Sequence, residues 1–436
     1  MRILIVSNSP WRNDNSFGNS FSNIFQGMGD IEIANIYLKY GVPDNDIVSV
    51  YYQITEKSLL NNLRNKKNKS GRVVRVFQKE RNDKTGEKQF NKIKRYKNIW
   101  LFWFRAIIWK IGRWKSKEFI DFIDDFNPDL LFIPVYYSHY IHDINFFIKD
   151  RLKIPAVGYV SDDVYLRPCY GRILQYIDRS MIRPVMKKVF NACDIVYTIS
   201  ETQRSEYANL FGDKFKILTK FSDFDEEKKM PVNKHEFPVK MLYTGNIGTG
   251  RYQSILLIVN AIKEINKDKK KFVFDIYTTT VLTPKQISKI SVENVVRVHD
   301  PVSYSQIIQL QQQSDLLVHV EGLSSKENSL VRQSFSTKIV DYLEKNRAIF
   351  VIGRDDSASI KYFIDNDSAF VAQSYKGILD NLNRILNDLS LLKSYAQKAW
   401  ECGKRNHQKS VKQAELKEDL FNVVKFRSIP SFKDKA

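Results

Sequence analysis

The chain has 436 residues, 43% of them apolar and 13% aromatic, with a formal net charge of +20 at neutral pH. That length exceeds what one hydrophobic core supports and predicts two domains. Three widely spaced cysteines, Cys169, Cys193 and Cys402, exclude a disulfide framework or cysteine-based zinc cluster and point to a reducing, cytoplasmic setting.

In chain order, "RILIVS" (residues 2–7) holds an apolar run of only Ile3 to Val6, too short for a signal peptide or a bilayer span, and reads as a buried first strand. Residues 61–117 form a basic insertion: between Arg64 and Lys117, 19 Lys or Arg face three acids, giving +16 and leaving +4 for the rest of the chain. Its end, "NKIKRYKNIWLFWFRAIIWKIGRWKSK", interleaves Trp100, Trp103, Trp109 and Trp114 with cations, as an interfacial helix does. Arg105 and Lys110 interrupt any span, while Ile99, Phe104 and Ile108 point in nearly opposite directions, so membrane contact through the tryptophans and burial in the first domain are both open.

The apolar runs "DLLFIPV", "PAVGYVS" and "DIVYTIS" then alternate with helical lengths, and a second series, "VKMLYTG", "KFVFDIYT", "DLLVHV" and "AIFVIG", does the same. Continuous runs of this kind predict parallel sheets covered on both faces, hence an α/β chain with two Rossmann-like, doubly wound domains. The charged stretch "SDFDEEKKMPVNKHEFP" separates the series and sets the boundaries at 1–235 and 236–400, with 401–436 as a C-terminal helix returning to the first domain. His139 and His142, three residues apart without a third ligand, read as structural, so no metal site is expected.

Two loops of the second series carry chemistry. "LYTGNIGTGRYQ" leaves a strand, passes Gly245, Gly248 and Gly250 and presents Arg251 at a helix start; its glycine spacing matches neither the phosphate loop nor the dinucleotide fingerprint. "RQSFSTKIVDYLEKNRAIF" predicts a helix over 337–345 with Ser334 or Ser336 as N-cap and Asn346 at its left-handed exit. Lys338 then sits in the first turn, where the macrodipole disfavours a cation by about 0.3–1 kcal/mol unless an anion answers it. A diphosphate held between the two loops is that anion, and Asp341, one turn on, is placed to accept from ribose hydroxyls or to pair with Lys338.

These segments resemble the nucleotide-sugar domain of GT-B fold glycosyltransferases, specifically glycosyltransferase family 4, over residues 239–373. "YTGNIGTGR" resembles the family's first phosphate loop, "VRVHDPVSYSQIIQLQQQSDLLVHVEG" its base-binding segment, and "RQSFSTKIVDYLEKNRAIFVIG" its signature helix; "NACDIVYTISETQRSEYANLFG", "KFSDFD" and "SNSPWRNDNSFGNSFSNIF" extend the likeness into the first domain. The resemblance implies two domains facing a cleft, with the donor diphosphate held by Gly18, Asn19, Gly245, Asn246, Arg251, Ser336, Thr337 and Lys338. It implies the donor sugar at Gln333, Ser334 and Phe335, the ribose at Asp341 and the base at Val298 or His299. Where the family has two glutamates this chain has Gln333 and Asp341, and where it has a catalytic histidine the chain has Ser161, with Asp162 or Asp163 to substitute.

The implied activity is retaining, metal-independent transfer from a nucleotide diphosphate sugar, UDP- or GDP-linked, with no other cofactor. The acceptor is a lipid-linked saccharide or polysaccharide of bacterial capsule, exopolysaccharide or O-antigen synthesis, reached from an anionic membrane surface on the inner face of the cell membrane. Nucleic-acid binding through 64–117 and a decayed sugar-nucleotide-binding protein are the alternatives; no nucleic-acid-binding motif accompanies the charge.

Overall fold

The computed structural model describes residues 1–75, 99–166, 170, 173–229, 236–329 and 331–428. Residues 76–98 of the basic insertion, Cys169, the stretch 230–235 at the expected domain boundary and the side chain of Trp100 lie outside the described residues.

Eight strands form the first sheet: β1 Arg2–Ser7, β2 Glu32–Tyr37, β3 Val48–Ile54, β4 Gly71–Val74, β5 Leu130–Pro134, β6 Ala156–Val160, β7 Ile195–Thr198 and β8 Phe215–Ile217, in the order β4-β3-β2-β1-β5-β6-β7-β8. Every pairing is parallel except β3 with β4. Six strands form the second: β9 Val239–Thr244, β10 Phe272–Tyr277, β11 Val296–His299, β12 Leu316–Val320, β13 Ala348–Ile352 and β14 Phe370–Ala372, in the order β11-β10-β9-β12-β13-β14, all parallel. The central strands β5, β6, β12 and β13 are buried along their whole length, as parallel strands covered by helices must be.

Each sheet winds outward from a central strand in both directions, which leaves a crevice where the direction reverses. In the first sheet this lies between β1 and β5, in the second between β9 and β12. Ligands of doubly wound sheets bind at the carboxyl end of such a crevice.

The helix Ile99–Ile111 bears out the burial reading on one face. One face is core: Ile108 and Trp109 are buried, Trp109 stacks on Tyr140 at 4.9 Å and donates its indole N–H to Glu56. Trp114, past the helix end, is buried against Phe119 and Phe147. Trp109 and Trp114 therefore do not reach a membrane, because their rings supply the apolar packing that holds this helix on the first sheet's domain. Trp103 donates to Asp178 at 3.1 Å. The opposite face, with Phe104, Ile107 and Ile111, is exposed.

The last two helices among the described residues are Ser390–His407, against β13, and Lys409–Ser428, which crosses back to the first sheet's unit. Asp419 accepts from Tyr197 at 2.8 Å and Lys216 at 2.5 Å, and Gln413 donates to the Ile24 carbonyl. Replacing Trp109 by Ala should cost about 3–5 kcal/mol through cavity formation and should lower the urea midpoint of the intact chain; an unchanged midpoint would show that the indole is not a core element.

Candidate functional site at the switch point of the second sheet

The loops that leave β9 and β12 flank the crevice, and each carries charged groups. After Thr244 the chain turns sharply at Gly245, whose φ of 152° is costly for a residue with a Cβ. A Cβ there would also lie 2.2 Å from Lys338 Nζ. Gly250 caps the helix Arg251–Ile265 in the left-handed conformation, and Asn246 closes the loop by accepting from the Gly248 amide at 2.6 Å.

The helix Thr337–Glu344 begins at Ser336, with no side-chain cap bond, and Asn346 takes the left-handed exit at φ 51°. Lys338 donates to the Thr244 carbonyl at 2.9 Å, so the two loops meet at the ammonium. Burial, and then the nearby charge of Arg251, pull this lysine below its ordinary value. The first-turn cation is answered by a neutral carbonyl and by the more distant carboxylates Asp341 and Glu321, an incomplete compensation that favours an incoming anion.

Arg251 forks onto Glu321, the residue after β12: Nη2 lies 2.9 Å and Nε 3.1 Å from Oε2, and Nε also reaches the Val320 carbonyl. Among the described residues its Nη1 makes no hydrogen bond, so one edge of the guanidinium is available to a ligand. Glu321 is almost fully buried; burial raises its carboxyl, but His319 and Arg251 outweigh that and hold it below the usual glutamate value. Sequence reasoning missed Glu321, although an acid at the end of an apolar strand and before a glycine is a readable signal.

The expected base contacts fall beside this loop. His299 stacks on Tyr277 at 4.4 Å and bonds Asp275 at 2.7 Å, while the Tyr277 carbonyl accepts from the Gly245 amide. Val298, its neighbour on edge strand β11, is partly exposed. Tyr304, which the sequence reading passed over, is 67% exposed and lies near enough to Asp341, Lys220 and Glu344 to feel their charges.

Several expected ligand groups are committed to the other unit instead. Asp341 accepts from Lys220 at 2.5 Å, both side chains being largely buried. Burial nevertheless leaves this carboxyl above its ordinary value. Arg332 forks onto Glu206 of the helix Glu201–Phe211, and Gln333 donates to the same carboxylate at 2.5 Å; the Gln333 carbonyl accepts from Ser200 at 2.7 Å. These bonds join the carboxyl edge of the first sheet, where Ser200 follows β7, to the loop before Lys338.

Ser334 and Ser336 serve the turn through Ser359, and Thr337 is exposed at the helix start. Phe335 does not face the crevice: it packs on Tyr362 and His407. There it lines a cavity of about 930 Å³ between the units whose charges are paired internally, as Lys216 with Asp419 and Lys361 with Asp365. That cavity, though roomy, has no counterpart to the partly compensated Lys338 and the open edge of Arg251 at the switch point.

In the first unit, Gly18 is buried under the Arg12 backbone, where a Cβ would sit 2.0 Å from the carbonyl oxygen. Its role is to let the β1 loop fold over its helix; Asn19, beside it, is exposed. Asp163 is a structural residue, since its Oδ1 accepts from the Tyr165 and Leu166 amides and the Tyr207 hydroxyl. Asp162 is exposed, and desolvation followed by the charge of Asp163 raises its carboxyl. Asp162 takes only a side-chain bond from its neighbour Ser161, whereas Asp163 Oδ1 takes two amides and a tyrosine hydroxyl. His142 is buried on the Tyr136 carbonyl, a structural histidine.

No family model matches the chain, and no curated protein matches it. Solved structures do. A sucrose-phosphate synthase from Thermosynechococcus elongatus superposes with a TM-score of 0.59 at 10% identity, covering 97% of this chain and 99% of its own. A glycosyltransferase from Rickettsia africae gives 0.59 at 11% identity, with 97% and 99% covered. Anabaena HepE in complex with UDP and glucose gives 0.59 at 10% identity, with 97% and 100% covered. The chain has the GT-B fold, with two Rossmann-like units joined across a cleft.

Glu321→Ala should cost about 3 kcal/mol in urea unfolding, because it leaves Arg251 and Lys338 uncompensated. Since the folded carboxyl titrates below the ordinary 4.5, its contribution is present in full above that pH and is lost as the pH falls further. The stability difference between wild type and Glu321→Gln should shrink in acid; a difference independent of pH would refute the assignment.

Proposed function

We propose that this protein is a glycosyltransferase similar to family 4 that takes a sugar from a nucleotide diphosphate donor, UDP- or GDP-linked, and passes it with retention to a lipid-linked saccharide or polysaccharide. The setting we assign is bacterial surface-polysaccharide synthesis at the inner face of the cell membrane. One observation carries the reading: Lys338 and Arg251 converge at the carboxyl ends of β9 and β12, on a glycine loop where a Cβ at Gly245 would meet the Lys338 ammonium.

In this reading Lys338, the free edge of Arg251 and the amides of the two helix starts bind the diphosphate and stabilise the charge that develops as it leaves. The nucleoside lies toward His299 and Tyr304, with Asp341 on the ribose once Lys220 yields. Asp162 faces the reacting sugar from the first unit. The two cations supply the neutralisation that a metal supplies elsewhere, so turnover should persist in excess EDTA.

Calorimetric titration with UDP and GDP is the test. Lys338→Ala and Arg251→Ala should each weaken the preferred nucleotide by about 1.5–3 kcal/mol, the scale of hydrogen bonds to charged groups. Unchanged affinity in both variants, or no affinity of the wild type for either nucleotide, would remove the diphosphate site.

A further inference from the structure

Two apolar stripes meet on the surface of the first unit. On the helix Ile99–Ile111, Phe104, Ile107 and Ile111 follow i, i+3, i+7 spacing and are 60%, 55% and 56% exposed. On the helix Ile173–Ala192, Ile173, Ile177 and Met181 follow i, i+4, i+8 and are 77%, 44% and 52% exposed. The bond from Trp103 to Asp178 joins the helices beside both stripes, since Trp103 neighbours Phe104 and Ile107, and Asp178 neighbours Ile177 and Met181. Six large apolar side chains on one joined surface exceed the scattered exposure normal for a soluble face.

Cations border this surface. Lys115 Nζ lies over the Phe147 ring at 4.8 Å and Lys188 Nζ over the Phe146 ring at 4.1 Å, both rings on the helix His139–Leu152 that packs against the two striped helices, and Lys110 lies on the first of these. Lys110 and Lys188 are exposed. The patch also adjoins the cleft: Arg179, on the second stripe's helix, donates to the Asp163 carbonyl at 3.0 Å, next to Asp162.

We propose that this two-helix face docks on an anionic phospholipid bilayer, with Phe104, Ile107, Ile111, Ile173, Ile177 and Met181 entering the interface and the lysines meeting the headgroups. Charge selects this occupant. A second copy of a chain carrying +20 would set like charges against each other, whereas an anionic leaflet complements the lysine border and accepts the apolar stripes at once. Docking here rests on the glycosyltransferase reading for its purpose, because it brings Asp162 to the lipid surface from which a lipid-linked acceptor would be drawn. The surface itself is defined without that reading.

The experiment is flotation of the intact protein with phosphatidylcholine vesicles, with and without about 30% phosphatidylglycerol, an anionic lipid content that attracts basic surfaces. Wild type should float only with the anionic vesicles and should be released severalfold by high salt. The double variant Ile107→Asp with Ile177→Asp should lose about tenfold in partition, since charge enters an apolar interface. Lys110→Glu, which leaves both stripes intact, should lose a smaller fraction. Nucleotide binding measured without vesicles should be the same in wild type and variants, which verifies folding and separates failure of docking from failure of the diphosphate site. Wild type that stays in solution with both vesicle types, a double variant that floats as well as wild type, or a concentration-dependent dimer abolished by the same variant would overturn the proposal.

Discussion

The contact between Lys338 and the Thr244 carbonyl is the constraint around which the second unit's site is arranged. A lysine in the first turn of a helix is disfavoured by the helix dipole, and here it is also half-buried. Its ammonium closes over the end of β9, in the space that a Cβ on Gly245 would take unless the lysine swung away. Arg251 enters from the next helix and is steadied by Glu321 at the end of β12. Two cations, one carboxylate and a glycine turn therefore occupy one crevice and leave it a net positive charge.

Strand order explains why these residues meet. The reversal of winding between β9 and β12 leaves no strand-to-helix connection crossing that gap, so the residues that follow each strand project over it. Arg251 and Glu321 lie 70 positions apart in sequence and bond across the reversal. The first sheet has the equivalent reversal between β1 and β5, and the loop Ser161 to Leu166 follows the next strand over.

Much of this architecture is legible in the residues. Continuous apolar runs announce β1, β5, β6, β9, β12 and β13, and the helix over 337–344 is marked by its serines and by Asn346. Strand β2 is harder to read because Asn35 interrupts it; inside the fold that amide is satisfied by the Ile5 carbonyl and the Ser7 hydroxyl. Strand β3, rich in tyrosine, carries no continuous aliphatic run. The tryptophans misled for a similar reason: composition shows that Trp109 and Trp114 sit among lysines but not which face of the chain they take, and packing on Tyr140 and Phe119 decided it. Partners such as Glu206 and Lys220 stand more than 100 positions from the groups they bind, beyond the reach of any local pattern.

Those long-range partners tie the two units together at the helix that carries Lys338. Lys220 holds Asp341, Glu206 holds Arg332 and Gln333, and Ser222 donates to Glu344 at 2.5 Å. Any rotation of one unit against the other must stretch bonds that also fix the start and the face of that helix. A ligand that claims Asp341 has to release Lys220, and by reciprocity a displacement of Lys220 alters the affinity for that ligand by the same factor. If the proposed ligand takes Asp341, the angle between the units and the occupancy of the site become conjugate quantities, and a probe placed on either unit would report on both.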